Sequence, residues 1–221
     1  MKQDKKFVFI ITYGRSGSTL LLGILNSIPG YRILGENMNL FLDVKKLYLK
    51  TCNNLAAYME MEKNFNLSGS RNSWYNPQSL VDIKRTYKEF IGNICDPNDK
   101  YDTVGFKEIR YSGIPGTGLD SYLIWLNLIT DCRFIFLTRN LEDTCKSMWH
   151  QENPNCKKEL GAFESRMKYF IRGNSYIPFF HLTYKDMVDA DLSELFGFLG
   201  VEYSDDAVDR ITKVLSKKHS Y

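Results

Sequence analysis

The chain has 221 residues, of which 43% are hydrophobic, 14% aromatic and 25% charged, and this composition excludes a disordered chain. The formal net charge of +3 is too small to predict general nucleic-acid binding, and it fits a local basic pocket for an anionic ligand. The polar start at residues 1–6 precedes only a short apolar run, so we expect no signal peptide, no membrane span and a cytoplasmic location.

The predicted elements alternate between strands and helices along the chain. The first half is expected to contain a strand at Phe7–Ile11, a helix at Thr19–Ser27, a strand at Tyr31–Leu34, a helix from Leu40 to about Asn64, a helix from an N-cap at Ser79 to about Ile94, and a strand at Asp102–Phe106. The second half is expected to contain a helix at Leu119–Thr130, a strand at Arg133–Leu137, helices at Leu141–Gln151 and Glu159–Gly173, a strand at Ile177–Leu182, and helices at Leu192–Leu199 and from Asp205 to about Lys217. This order predicts an α/β fold with three layers, a central parallel sheet between helices, in one domain over residues 1–221.

The turn between the first strand and the first helix has the composition of an anion-binding loop. Its sequence is Gly14-Arg15-Ser16-Gly17-Ser18-Thr19. The glycines let backbone N–H groups point inward, the hydroxyls add donors, and the helix N-terminus and the arginine add positive charge. The loop therefore predicts a phosphate or sulfate site, with a ligand-free glycine turn as the alternative. It lacks the glycine spacing and the lysine of a nucleoside triphosphate P-loop.

A second candidate anion site follows the buried strand Arg133–Leu137. Arg139 comes directly after this strand, and Ser147 lies about two turns along the predicted helix. The two side chains could hold one phosphate, with a solvated arginine at the strand end as the alternative. The parallel sheet predicts that both anion sites lie at the carboxyl ends of the strands, where such sheets bind ligands.

These two stretches, together with His181–Met187 and the later Phe198-Leu199-Gly200, resemble the sulfotransferase superfamily. The resemblance implies a P-loop NTPase-like sulfotransferase fold and 3′-phosphoadenosine 5′-phosphosulfate (PAPS) as the sulfuryl donor, with 3′,5′-diphosphoadenosine as its product. It implies that the early loop binds the 5′-phosphosulfate and that Arg139 and Ser147 bind the 3′-phosphate. It requires no metal.

The resemblance also implies roles for four further side chains. Glu36 follows the second strand and is the expected base, with an N-cap or a first-turn charge of the next helix as the alternative. Arg15 is expected to stabilise the charge that develops on the bridging oxygen. Lys107 is expected to contact the sulfuryl group or the bridging oxygen and to act as general acid, with a surface lysine as the alternative. Tyr184 is expected to stack on adenine, with ordinary core packing as the alternative.

The acceptor is expected to carry a hydroxyl group, as a glycan, a small molecule or a tyrosine does. Trp74, Tyr75 and Tyr111 fall in the segments expected to form its pocket, and Lys217 and Lys218 are candidates to approach the 3′-phosphate or to form a solvated tail. Two other readings stay open: a P-loop small-molecule kinase, which would need a Walker lysine and magnesium, and a non-catalytic nucleotide-binding module.

The five cysteines are odd in number and widely spaced, without a pattern that indicates zinc. Cys132 and Cys145 fall in apolar segments and are predicted to be buried as small hydrophobic side chains. The cysteines are therefore expected to be reduced thiols, as in a cytoplasm.

Overall fold

The computed structural model describes residues 4–65, 79–114, 117–189 and 191–216. The strands are β1 (Lys6–Ile11), β2 (Tyr31–Leu34), β3 (Thr103–Glu108), β4 (Arg133–Thr138) and β5 (Phe179–Thr183). The helices are α1 (Ser18–Asn26), α2 (Leu40–Phe65), α3 (Leu80–Cys95), α4 (Thr117–Thr130), α5 (Leu141–Cys145), α6 (Cys156–Gly173), α7 (Tyr184–Asp189), α8 (Ser193–Leu199) and α9 (Asp205–Ser216), with a short 3-10 turn at Tyr111–Gly113.

The strands form one sheet of five, in the order β2-β3-β1-β4-β5, and every pair is parallel. The predicted α/β class is therefore confirmed. The central strand β1 pairs with β3 on one side and β4 on the other, so the carboxyl ends of all three lie together. Gly105 in β3 is required by this pairing, because a Cβ at that position would overlap the backbone oxygen of Val8.

Alternate residues of the strands face two separate cores. In β1, Phe7 and Phe9 face the core formed with α2, α3, α4 and α6, whereas Val8 and Ile10 face the core formed with α1, α7, α8 and α9. A strand buried on both faces must be apolar, and β1 is apolar from Phe7 to Ile11, after an exposed Lys6 at its start. Because both faces of the sheet are covered, polar chemistry is left to the strand ends and the loops beyond them.

Most predicted boundaries agree with the structure, and Ser79 is the N-cap of α3, where its side chain accepts a hydrogen bond from the Asp82 backbone N–H. The predicted helix at Leu141–Gln151 is wrong in extent, because α5 ends at Cys145 and the chain then continues in turns. Helix α7, which begins at Tyr184, was not predicted as a helix.

Four residues of the predicted acceptor and tail segments, Trp74, Tyr75, Lys217 and Lys218, lie outside the described residues. Tyr111 is described and fully buried, with its ring against that of Tyr122. The expectation that Tyr111 offers an aromatic face to an acceptor is therefore wrong. In the described part of the chain, the helices are too short or too polar to cross a membrane.

Candidate active site

The loop after β1 has an unusual backbone that buried hydroxyl groups hold in place. Arg15 and Gly17 have φ angles of 67° and 92°, in the left-handed region. The Thr12 hydroxyl lies 2.8 Å from the Leu137 backbone oxygen and 2.7 Å from the Ser16 hydroxyl. Since the backbone oxygen can only accept, the Thr12 hydroxyl donates its one hydrogen bond to Leu137 and accepts a hydrogen bond from the Ser16 hydroxyl. Ser16 is fully buried, so its hydroxyl stabilises the loop from the protein interior instead of facing the solvent.

Glycine is required at position 17 for a second reason, which is its close contact with another part of the chain. A Cβ at this position would overlap the ring of Tyr184, the first residue of α7. Helix α1 starts immediately after Gly17, and its free N–H groups lie at that end. The N-terminus of α1 opens into a cleft of about 280 Å³. The cleft is lined by Arg15, Gly17, Ser18, Thr19, Leu20, Arg139 and Tyr184.

Arg139 faces this cleft with part of its hydrogen-bonding capacity unused. Its guanidinium carbon lies 4.4 Å from the centre of the Tyr184 ring, and its Nη1 donates to the Arg15 backbone oxygen at 3.3 Å. Its Nε is buried and has no hydrogen-bond partner among the described residues. A buried donor without a partner is costly, so Arg139 is suited to an anion that would accept from it.

The backbone of Arg139 is tied to the loop by Tyr13, a residue that the sequence analysis did not single out. The Tyr13 hydroxyl accepts a hydrogen bond from the Arg139 backbone N–H at 2.9 Å and donates to Glu164 of α6 at 2.6 Å. Burial, reinforced by the Glu164 carboxylate, raises the pKa of Tyr13 well above its ordinary value. Tyr13 therefore stays protonated, and its hydrogen bond holds Arg139 next to the loop that begins at Gly14.

The predicted residue Ser147 does not line this cleft in the described part of the chain. Its hydroxyl donates to the Thr144 backbone oxygen at 2.7 Å, in the turns that follow α5. Those turns bring Trp149 and His150 against Gly14, with His150 Nε2 3.2 Å from the Gly14 backbone oxygen. No local signal marked either residue, because their approach to the loop depends on the early end of α5.

The prediction that the cysteines are reduced thiols is wrong for Cys145 and Cys156. The two form a disulfide, with their Cα atoms 5.8 Å apart, that joins the end of α5 to the start of α6. The disulfide closes the segment that carries Ser147, Trp149 and His150. Cys132 is a buried free cysteine as predicted. The cytoplasmic location stays a prediction, without the support of a fully reduced set of cysteines.

On the other side of the loop, Glu36 pairs with two cations from β3 and the residues after it. Lys107 Nζ donates to Glu36 Oε1 and Arg110 Nη1 to Glu36 Oε2, each at 3.0 Å. Lys107 is only 6% exposed, so the alternative of a surface lysine is wrong. Glu36 lies ahead of α2 rather than in its first turn, and an isolated bridge between Tyr13 and Arg110 connects this cluster to the anion loop.

Glu108, next to Lys107 in β3, is fully buried. Its Oε2 accepts from the backbone N–H groups of Asn37 and Asn39, and its Oε1 accepts from those of Ile109 and Arg110. Burial alone acts to raise the pKa of Glu108, but these N–H donors and the Arg110 charge hold it below its ordinary value. Glu108 is therefore an ionised carboxylate at neutral pH. The Arg110 guanidinium pairs with this carboxylate, with Nη1 3.1 Å from Glu108 Oε1.

The residues predicted from the sequence thus form two groups. Arg15, Gly17, Ser18, Thr19, Arg139 and Tyr184 share the anion cleft, whereas Glu36 and Lys107 form the second cluster. Gly14 and Ser16 belong to the loop but do not line the cleft that the described residues form. The described residues thus place two arginines and a helix N-terminus around one cleft, and a carboxylate held by a lysine in the neighbouring cluster.

A family model for the sulfotransferase domain matches residues 5–220. The chain therefore belongs to the sulfotransferase domain family. A comparison with curated protein sequences finds no match.

Several solved structures resemble the chain at low sequence identity. Mouse sulfotransferase SULT7A1, solved in complex with PAP, has 15% identity and a TM-score of 0.46, with 98% of this chain and 65% of that chain covered. Sulfotransferase STF9 from Mycobacterium avium has 11% identity and a TM-score of 0.48, with 99% and 69% covered. STF1 from Mycobacterium tuberculosis H37Rv has 13% identity and a TM-score of 0.45, with 94% and 71% covered. The chain thus spans less than two thirds of the mouse protein's length.

Proposed function

We propose that this protein is a PAPS-dependent sulfotransferase that transfers a sulfuryl group to a hydroxyl group of an acceptor, with residues 1–221 acting as one domain. The observation that carries the proposal is the cleft in which Arg15 and Arg139 meet the N-terminus of α1 and the ring of Tyr184. Membership of the sulfotransferase domain family supports the reaction class. No other activity is favoured by an observation of comparable strength.

The cleft suits a donor that carries two anionic ends and a purine. The loop Gly14–Thr19 would hold the 5′-phosphosulfate through its N–H groups and hydroxyls, and Arg15 would add a fixed charge. The partnerless Nε of Arg139 supports a role in binding the 3′-phosphate. Ser147 would share that role only if its hydroxyl exchanged its present hydrogen bond to the Thr144 backbone oxygen for one to the phosphate. Tyr184 would stack on adenine.

The chemistry requires a base for the acceptor and neutralisation of the leaving oxygen. When bound, the donor supplies a sulfuryl group whose bond to the 5′-phosphate oxygen breaks as a bond to the acceptor oxygen forms. In the proposed step, the Glu36 carboxylate takes the proton of the acceptor hydroxyl. Lys107 holds Glu36 at 3.0 Å and, with Arg15, would stabilise the negative charge on the leaving 3′,5′-diphosphoadenosine.

The acceptor is proposed only by class, as a glycan, a small alcohol or phenol, or a tyrosine. Any of these offers a hydroxyl proton to Glu36. A partly exposed Glu36 and an Arg110 that is 39% exposed leave room for such a group beside the carboxylate. The proposal includes no metal and no membrane span or nucleic-acid partner.

The experiment that tests the donor site is calorimetric titration with 3′,5′-diphosphoadenosine in EDTA, with ATP plus magnesium as the control. We expect micromolar binding of the diphosphate without metal and none of ATP. If ATP binds only with magnesium and the diphosphate does not bind, the sulfotransferase proposal fails and a kinase becomes the better hypothesis. Radiolabelled PAPS presented with phenols, sugars and tyrosine peptides then tests transfer and identifies the acceptor class.

A further inference from the structure

We infer that Glu108 is the positioning residue that fixes the turn carrying Glu36, and thereby sets the place of the proposed base. The inference depends on the proposed function for its catalytic consequence, but its structural part concerns only the described residues. Glu108 lies at the end of β3 and pairs in register with Ile11 of the central strand β1. It is thus anchored beside the central strand of the sheet.

The first step is the balance of costs at Glu108. A fully buried carboxylate is tolerated only when hydrogen bonds and charge replace its lost hydration. Four backbone N–H groups and the Arg110 guanidinium supply that compensation. Two of the four, from Ile109 and Arg110, follow β3 directly, whereas the two from Asn37 and Asn39 belong to residues 36–39, here called the Glu36 turn. The buried charge and the turn therefore stabilise each other.

The second step is the strain in the turn itself. Met38 and Asn39 have φ angles of 55° and 61°. Asparagine adopts this left-handed conformation readily, but methionine does so only when its surroundings hold it there. The side-chain oxygen of Asn39 and both polar atoms of Asn37 are buried without a hydrogen-bond partner among the described residues. The asparagine side chains therefore do not hold the turn through hydrogen bonds, whereas their backbone N–H groups do so through Glu108.

The third step connects Glu108 to the Glu36 side chain. Arg110 Nη1 lies 3.0 Å from Glu36 and 3.1 Å from Glu108, so one cation is shared by the two carboxylates. Lys107, the strand neighbour of Glu108, holds the other oxygen of Glu36. Glu108 thus fixes both the backbone that presents Glu36 and the arginine that orients it.

The test is hydrogen exchange, measured by NMR at the amides of residues 37 and 39 in wild type and in Glu108→Gln. The amide side chain of glutamine loses the charge and can turn an N–H toward donors that need an acceptor. We expect exchange at these amides to accelerate at least about tenfold, as loss of charge-assisted hydrogen bonds predicts. The amides of the anion loop, residues 14–19, should keep their wild-type rates. Wild-type protection in a folded Glu108→Gln protein overturns the inference.

Asp96 provides a matched control. It is also a fully buried carboxylate, and it accepts from the Tyr101 backbone N–H and from Lys5, which precede β3 and β1 at the amino ends of these strands. Asp96→Asn should lower global stability without a selective change at residues 37 and 39. An equal acceleration in Asp96→Asn would show that the effect is only general destabilisation, and would overturn the inference.

Glu108→Asp serves where the glutamine variant does not fold. It keeps the charge that Arg110 needs but shortens the side chain by one methylene, so the same two amides should lose their acceptor and exchange faster. Unchanged exchange in this variant counts against the inference.

The catalytic consequence is a split between kcat and KM. With an acceptor found by the PAPS screen, Glu108→Gln should lower kcat at least tenfold and leave diphosphoadenosine affinity within about twofold. Faster amide exchange with wild-type kcat would overturn the positioning role in catalysis. A wild-type protein that binds no diphosphoadenosine and transfers nothing would instead overturn the proposed function, and the exchange result would stand apart from it.

Discussion

The two halves of the candidate site are built in different ways. The cleft that we propose to bind the donor, here called the donor half, is formed by segments that each follow their own strand: the loop after β1, Arg139 after β4 and Tyr184 after β5. The Glu36 turn follows β2, but Lys107 and Glu108 of β3 hold it. The hydrogen bonds from Lys107 to Glu36 and from Asn37 to Glu108 each join residues that are 71 positions apart in the sequence. The donor half can be recognised from short motifs in the sequence. The proposed acceptor half, which consists of the Glu36 turn with Lys107 and Glu108, depends for its geometry on one buried carboxylate, Glu108, that is distant in sequence.

This comparison teaches where function and fold stability are coupled. In the donor half, the arginines Arg15 and Arg139 reach a cleft, so their replacement should change binding more than folding. In the acceptor half, the residue that positions the proposed base is itself a buried charge. Changes there should alter the turn, the base and the stability together. The following variants test this contrast.

The largest effect is expected for Glu36→Gln, which removes the proposed base and nearly preserves the shape of the side chain. Turnover should fall by about 10²–10⁴-fold, the range for loss of a general base. Affinity for 3′,5′-diphosphoadenosine should not change, because Glu36 does not line the donor cleft. Initial rates with labelled PAPS and calorimetry measure the two quantities.

Glu142→Gln is the control for this variant, since Glu142 is an exposed carboxylate that also pairs with a lysine, Lys157. It should have wild-type turnover. If Glu36→Gln keeps wild-type turnover as well, the proposed base is wrong and the separation of the two halves loses its chemical meaning.

The disulfide provides the second test, on the donor half. Replacement of Cys145 and Cys156 by serine opens a loop with a sequence separation of 11. We expect a loss of about 2–3 kcal/mol in the free energy of unfolding, from the loop-closure entropy of the unfolded chain. Affinity for 3′,5′-diphosphoadenosine should fall as well, because the loop places Trp149 and His150 against Gly14.

Reduction of the wild type by dithiothreitol should lower its melting temperature by about 5–10 °C, and the double serine variant should not respond to the reagent. A wild type whose native form titrates with two additional free thiols would contradict the disulfide. A reduced protein with unchanged affinity would show that the loop is not part of the donor half.

Arg139→Ala should weaken binding of 3′,5′-diphosphoadenosine by about 1.5–3 kcal/mol, the range for loss of a hydrogen bond to a charged group. Its free energy of unfolding should fall by only about 1 kcal/mol, because the guanidinium gives up one long hydrogen bond to the Arg15 backbone oxygen and its contact with the Tyr184 ring. Ser147→Ala should weaken binding less, since its hydroxyl is engaged by Thr144. The exposed Arg172 at the end of α6 is the matched control, and Arg172→Ala should bind as wild type does. Calorimetry that finds Arg139→Ala equal to Arg172→Ala would contradict this assignment.

The sequence was sufficient for most of the fold, because apolar alternation and N-caps such as Ser79 act locally. The same is true of the anion loop, whose glycines and hydroxyls are adjacent in the chain. It was insufficient after Arg139, where the disulfide partner of Cys145 lies beyond the turns that end the helix. The role of Glu108 could not be predicted, because its partners Asn37 and Asn39 come from another part of the chain and bond through their backbone.

The smallest expected effect, for Gly17→Ala, decides how local the donor half is. A left-handed φ of 92° costs a residue with a Cβ about 1–2 kcal/mol in stability, and the added methyl would also overlap the Tyr184 ring. Urea unfolding of Gly17→Ala, Tyr184→Leu and the double variant separates the two causes. If the overlap contributes, the double variant is more stable than the sum of the single losses predicts. Strict additivity means that backbone strain alone acts. In the first case the anion loop depends on a helix from the far end of the sequence, and the donor half, like the Glu36 turn, is held by a contact that no local motif encodes.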